Sequence, residues 1–180
     1  LVNINMKALI TGCQGFIGKN LAQHLKKQGH YVVGIDKKLK VGDPVFVDEF
    51  VGHDMEQRIS IENDFDRVYH LSADVPNSKG VGGSQLTTGR SNPIYNTEYQ
   101  GHNGPDLNED DHIWPAQPAG NIYGMEKLYN MQLAIEYAKN YDMKISLPIF
   151  HAMYGPHCDI LENSKVVAAM CVKILNAGDP

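Results

Sequence analysis

Two groups of residues in this chain could do chemistry. The first is Tyr123-Gly-Met-Glu-Lys127. A tyrosine and a lysine four apart on a helix share a face, one turn from each other. The ammonium can stabilise the phenolate, drawing the phenol down from its ordinary pKa of about 10 and making it a proton carrier near neutrality. The second group is Thr11-Gly12-Cys13-Gln14-Gly15-Phe16-Ile17-Gly18. Its glycines suit a tight turn, a close approach of backbone to phosphate, and close packing of a helix on a strand, in that order. The helix that follows would offer unpaired N–H groups and its positive end to a pyrophosphate. A YxxxK spacing alone also arises in ordinary amphipathic helices. Behind a glycine loop of this kind it points to redox chemistry at a hydroxyl-bearing carbon.

The elements that must position these groups are legible around them. Lys7–Thr11 is a short apolar run ending at Gly12, as expected of a buried parallel strand. Phe16, Ile17, Leu21, Ala22 and Leu25 recur at helical spacing over Phe16–Lys27, and Gly29 ends that helix. Tyr31–Ile35 reads as a second strand finishing at Asp36, Val45–Val47 as a weaker one, and Arg67–Leu71 as a further one. Strand, glycine turn, helix, strand and acidic residue form one βαβ unit of Rossmann type. Asp36 is placed to bind both hydroxyls of an adenosine ribose and to repel a 2′-phosphate, which favours NAD over NADP, with Lys37 and Lys38 as nearby cations.

Residues 75–120 are rich in Gly, Asn, Pro, Ser and Thr without a sustained period, and read as an irregular insert. Periodicity returns over Ile122–Tyr141, where Ile122, Met125, Leu128, Tyr129, Leu133 and Tyr137 mark a helical stripe. Lys144–Phe150 reads as a strand with Pro148 near its end. Ser164 is placed to cap a last helix over Lys165–Leu175, and Gly178 to stop it. The expected architecture is α/β: a Rossmann-type doubly wound parallel sheet with a shortened middle and no C-terminal substrate domain, in a single NAD-binding domain spanning 1–180. Leu1 to Asn5 precede a plausible start at Met6 and read as tag or upstream residues.

Composition narrows the classes. The 180 residues are 42% hydrophobic, enough for one domain with a real core. A net charge of −5 with scattered lysines gives no nucleic-acid footprint. No apolar run reaches the roughly 18 residues needed to span a bilayer. Cys13, Cys158 and Cys171 are odd in number and form no CxxC, which fits a reduced, cytoplasmic protein. No HExxH or Cys/His grid points to a metal, and no GxSxG elbow points to a hydrolase.

The matching stretches, Thr11–Gly18, Asp36, Asp54-Met55, Leu71-Ser72-Ala73-Asp74, Tyr123–Lys127 and Tyr154-Gly155-Pro156, resemble the extended short-chain dehydrogenase/reductases. Within them the chain is similar to the NAD-dependent epimerase/dehydratase family that acts on nucleotide sugars. The wording of Gly29–Val33, Asp48-Glu49-Phe50, Trp114–Pro118 and Phe150–Pro156 is most similar to its GDP-sugar epimerases. The resemblance implies that Gly12, Gly15, Phe16, Ile17 and Gly18 hold the NAD pyrophosphate, Asp36 the ribose, and Asp54 with Met55 the adenine. Leu71, Ser72 and Ala73 would line the cofactor, with His151 near the nicotinamide. Tyr123 would be the catalytic base, Lys127 would hold the nicotinamide ribose and tune Tyr123, Ser91 would hydrogen-bond the reacting oxygen, and Lys165 would be an epimerising acid/base. The implied substrate is a nucleotide sugar, a GDP-sugar in first place.

The chain also departs from that pattern. Pro93 stands where the resemblance implies a cysteine acid/base, and Ala152 where it implies a substrate-binding asparagine. Only Val75–Arg90 separates the Leu71 strand from Ser91, too few residues for both a crossover helix and a returning strand. The missing helix commonly pairs subunits in the family, so any homo-oligomer would use a non-standard interface. Three readings follow: a shortened epimerase/dehydratase-like enzyme, a non-catalytic NAD-binding module, and a small reductase using only Ser91, Tyr123 and Lys127.

Overall fold

The computed structural model describes residues 5–37, 39, 42, 44–61, 64–72, 122–150, 153–158 and 166–177, with the backbone alone for 122–126 and 166. The chain divides into two compact units, Leu1–Val75 with Tyr154–Pro180, and Pro76–Met153.

In the first unit, β1 (Lys7–Thr11), α1 (Phe16–Lys27), β2 (Tyr31–Asp36), β3 (Glu49–Gly52) and β4 (Arg67–His70) build a four-stranded parallel sheet in the order β3-β2-β1-β4. Thr11 pairs with Ile35 on one side and His70 on the other, so β1 lies between β2 and β4. The strand order reverses at β1: the chain first builds outward through β2 and β3, then crosses back to place β4 on the other side. Ligands of open parallel sheets bind at such a switch point, beyond the carboxyl ends of the strands. Residues Val166–Asn176 form a further helix of this unit.

Side-chain alternation builds the core. Ala8, Ile10 and Val32 point to the face covered by α1, where they pack with Cys13, Ala22 and Leu25. Leu9, Val33 and Ile35 point to the opposite face and pack with Val51, Met55, Ile59, Ile61 and Phe65. Ile10, Val32 and Ile35 are fully buried. A strand covered on both faces reads as a continuous apolar run, as β1 and β2 do.

Two expected strands are corrected. The third strand is Glu49–Gly52, not Val45–Val47. Phe46 and Val47 owe their apolar character to packing against the α1 face. The ladder starts only after Asp48, whose N–H donates to the Val32 carbonyl at 2.8 Å. Lys144–Phe150 is not a strand; Pro148 deprives it of a ladder donor. The second unit contains α2, Ile122–Tyr141, with the bounds its periodicity predicts. Leu128 is buried there, while Tyr129, Leu133, Tyr137 and Tyr141 are exposed. Val166–Asn176, hereafter α3, lies one residue later than the expected Lys165–Leu175 at each end.

Candidate cofactor site

Gly12 leaves β1 with φ of 70°, a left-handed conformation that favours glycine. Its N–H donates to the Ile35 carbonyl at 2.8 Å, and the Gly15 N–H closes the turn onto the Gly12 carbonyl at 3.0 Å. Gly18 makes the closest approach. A Cβ there would lie 2.1 Å from the Gly12 oxygen, so α1 sits directly on the loop that precedes it. The helix starts without a side-chain cap and with no acidic residue in its first turn. The Phe16 and Ile17 N–H groups therefore face outward with no intrahelical acceptor, the arrangement that receives an anion.

Asp36, at the carboxyl end of β2, is tied to this loop. One carboxylate oxygen accepts from the Gln14 N–H at 2.9 Å, and the other from the Lys37 N–H at 2.8 Å. Each oxygen keeps a lone pair for a hydroxyl partner. The neighbouring strand end is joined to it by the His53 N–H, which donates to the Asp36 carbonyl at 2.9 Å. Asp54 follows there. Its carboxyl is held below the ordinary range first by the Glu56 N–H, with burial opposing and the Lys37 ammonium assisting. Lys37 lies 3.4 Å from both Asp54 and Glu56, and these two carboxylates raise its ammonium above its ordinary value, the Glu56 hydrogen bond contributing most. Met55 turns inward onto Leu9, Val33 and Ile35, so its side chain also serves the core.

The other wall of the crevice is the chain leaving β4. Leu71 and Ser72 pass so close to Gly12 that a Cβ on it would meet their peptide at 3.0 Å. The Thr11 hydroxyl oxygen accepts from their N–H groups at 3.1 and 3.2 Å and lies 2.9 Å from His70 Nδ1. Sequence reading took Thr11 only as part of the loop motif and His70 only as a strand residue. The available signal was one imidazole at the carboxyl end of the Arg67–His70 strand. Asn20 was also missed. It reaches from α1 to the Pro156 carbonyl at 2.7 Å, docking the Tyr154-Gly155-Pro156 segment on the cofactor helix.

Cys13, inside the loop, points into the core. Burial first, and then the Asp36 charge, push its thiol up to about 11.

The structure thus brings Gly12, Gly15, Phe16, Ile17, Gly18, Asp36, Asp54, Leu71 and Ser72 to one edge of the sheet. A glycine cradle, an uncapped helix N-terminus and a carboxylate at the second strand end fit a dinucleotide. Tyr123 and Lys127 belong to the second unit, where the register of α2 sets them one turn apart. The side chain of Tyr123 and the expected roles of Ala73, Ser91, His151 and Lys165 lie outside the described residues, as do Pro93 and Ala152. Among the described residues no His, Cys, Asp and Glu group could hold a metal ion. No described helix is long and apolar enough to cross a membrane.

Comparison with known proteins bears on the same features. GDP-mannose 3,5-epimerase of Arabidopsis thaliana is 30% identical over 207 residues, covering 97% of this chain and 54% of the relative. GDP-mannose 3,5-epimerase 1 of Oryza sativa subsp. indica is 29% identical over 205 residues, with the same coverage. Protein CapI of Staphylococcus aureus is 68% identical over a short stretch of 31 residues, 17% of this chain and 9% of the relative. The chain spans about half the length of the two epimerases. The aligned span of 207 residues exceeds the 180 of this chain, so the epimerase carries residues with no counterpart here. The sequence profile of the NAD dependent epimerase/dehydratase family matches in two pieces, residues 8–98 and 91–180, which overlap at 91–98. With nearly its whole length matched and a Rossmann-type sheet beneath the match, this chain belongs to the NAD dependent epimerase/dehydratase family.

Proposed function

We propose that this protein binds NAD and transfers a hydride between it and a carbon of a nucleotide sugar, with a GDP-sugar as the favoured substrate. The observation that carries this reading is the seat itself: an uncapped helix N-terminus behind Gly12–Gly18, with the Asp36 carboxylate fixed beside it. Asp36 favours two free ribose hydroxyls over a 2′-phosphate. The adjacent cation, Lys37, is engaged by Asp54 and Glu56. The choice of sugar nucleotide rests on the similarity to the two GDP-mannose epimerases. The three cysteines, all unpaired, suit a reducing compartment such as the cytoplasm.

In this reading Tyr123 removes the proton from a sugar hydroxyl, and Lys127 lowers the phenol's pKa by standing one turn away on α2. Ser91 hydrogen-bonds the reacting oxygen. NAD, when bound, supplies the hydride acceptor. Oxidation of a sugar carbon acidifies the neighbouring C–H bonds, and Lys165 exchanges a proton there. Pro93 has no proton to give, which favours as a second reading an NAD-binding module that turns over poorly or not at all.

Incubating the protein with NAD and GDP-sugars in deuterated water separates the two. The enzyme reading expects deuterium at a sugar carbon or a rise in NADH absorbance. Tyr123→Phe should lose about a hundredfold or more of that rate while NAD affinity stays unchanged. NAD binding without exchange or absorbance change would leave only the module. A fully active Tyr123→Phe would remove the tyrosine from the mechanism.

A further inference from the structure

Thr11 stands at the switch point of the sheet and is 3% exposed. Its hydroxyl has one proton to donate and two lone pairs with which to accept. Two N–H groups are directed at that oxygen: Ser72 at 3.2 Å, and Leu71 at 3.1 Å, the latter shared with the Thr11 carbonyl at 3.2 Å. The third neighbour is His70 Nδ1, at 2.9 Å. An N–H at Nδ1 would bring a third donor to an oxygen that already receives two, and would leave the hydroxyl proton without an acceptor among them. The arrangement that satisfies all three groups puts the hydroxyl proton on the His70 side with Nδ1 accepting it, the Nε2–H tautomer.

The consequence reaches the cofactor crevice. A hydroxyl rotor without a fixed acceptor is free to turn, and turning it aims its lone pairs away from the two peptides. With its proton held by His70, the Thr11 oxygen clamps the chain leaving β4 against Gly12, where a Cβ would meet the Leu71–Ser72 peptide at 3.0 Å. We propose that His70 is a positioning residue: by accepting the Thr11 proton at Nδ1, it fixes the Leu71–Ser72 peptides as the wall on which the cofactor rests. This rests on the NAD reading above. In this role His70 acts on the crevice through Thr11.

The test combines binding with spectroscopy. His70→Leu removes the acceptor, and His70→Asn can return an oxygen to the position of Nδ1. The expected result is about fivefold weaker NAD binding by calorimetry in His70→Leu, and recovery to within about twofold of wild type in His70→Asn. A long-range proton–nitrogen spectrum of the wild-type protein should show Nδ1 of His70 without a proton. An Nδ1–H tautomer overturns the proposal. So does a folded His70→Leu protein with wild-type affinity, or a His70→Asn protein as weak as His70→Leu. Should His70→Leu fail to fold, the tautomer and the His70→Asn affinity decide. If the wild-type protein does not bind NAD at all, the cofactor reading fails and the cofactor role of His70 with it, while the spectrum still decides the Thr11–His70 hydrogen bond separately.

Discussion

Helices α1 and α2 both carry residues on which the proposed chemistry depends, yet they are built differently. In α1, Gly18, Lys19, Ala22 and Leu25 are buried, and the first turn presses against the loop that precedes it. In α2, Leu128 is buried, but Tyr129, Leu133, Tyr137 and Tyr141 stand open, the last two with their rings stacked at 5.2 Å. The difference shows two ways of specifying a site. The proposed cofactor seat is made of backbone, and backbone geometry is secured by packing. The proposed proton-transfer pair is made of side chains, and their spacing on a helix secures only their shared face. Damage to the first should appear as lost structure and lost binding; damage to the second, as lost turnover alone.

Three variants sharpen that contrast. Gly18→Ala should have the largest effect. Its Cβ would press on the Gly12 carbonyl, so the loop or the helix must shift, at a cost of about 3 kcal/mol. Thermal unfolding and NAD titration should both show the loss; a protein as stable and as tight-binding as wild type would mean that the helix does not rest on the loop. Asp36→Ala comes next. It deprives the Gln14 and Lys37 N–H groups of their acceptor and removes the charge that rejects a 2′-phosphate. NAD affinity should fall about tenfold and the preference over NADP should shrink. An unchanged ratio of the two affinities would take Asp36 away from the ribose.

Asp48→Asn should have the smallest effect and leave cofactor binding alone. Asp48 accepts from the Val32 N–H at 2.8 Å and from Lys26 on α1, holding the approach to β3 against the helix. Burial raises its carboxyl pKa, but Lys26 and the Val32 N–H outweigh it, and the value lies below the ordinary 3.8. A folded-state value below the unfolded one contributes stability that is present above the unfolded value and lost as pH falls through the folded one. The variant should be about 1 kcal/mol less stable at neutral pH. Its deficit should close below about pH 4, as wild-type Asp48 takes up its proton. A deficit independent of pH would show that the charge plays no part.

How far the sequence disclosed this molecule follows the same division. The bounds of β1, α1 and α2 were readable, because local periodicity and a glycine at the right place decide them. The place of Asp36 at the end of β2 was readable for the same reason. β3 was not. Its residues, Glu49-Phe-Val-Gly52, have weak strand character alone, and pairing with Val33–Asp36 of β2 makes them a strand. The neighbouring Val45-Phe-Val47 looked the better candidate because packing against a helix selects the same apolar residues as a strand does. Lys144–Phe150 misled differently: Leu147 and Phe150 are exposed, and Pro148 lacks the ladder donor that a strand needs. The Thr11–His70 pairing was invisible for another reason. It joins residues 59 apart, and only the register of β1 on β4 makes them neighbours.

Cys13 has one more consequence. The thiolate is the form that attacks peroxide and electrophiles, and with a value near 11 only roughly one Cys13 in ten thousand carries that charge at pH 7. The sulfur is also 1% exposed, whereas Cys171 on α3 lies open. Oxidants that would convert an accessible loop cysteine to a sulfenic acid should meet Cys171 first. The glycine turn after β1 thus carries a sulfur atom and yet is chemically mute, its thiol serving only as a small apolar filler beneath β2.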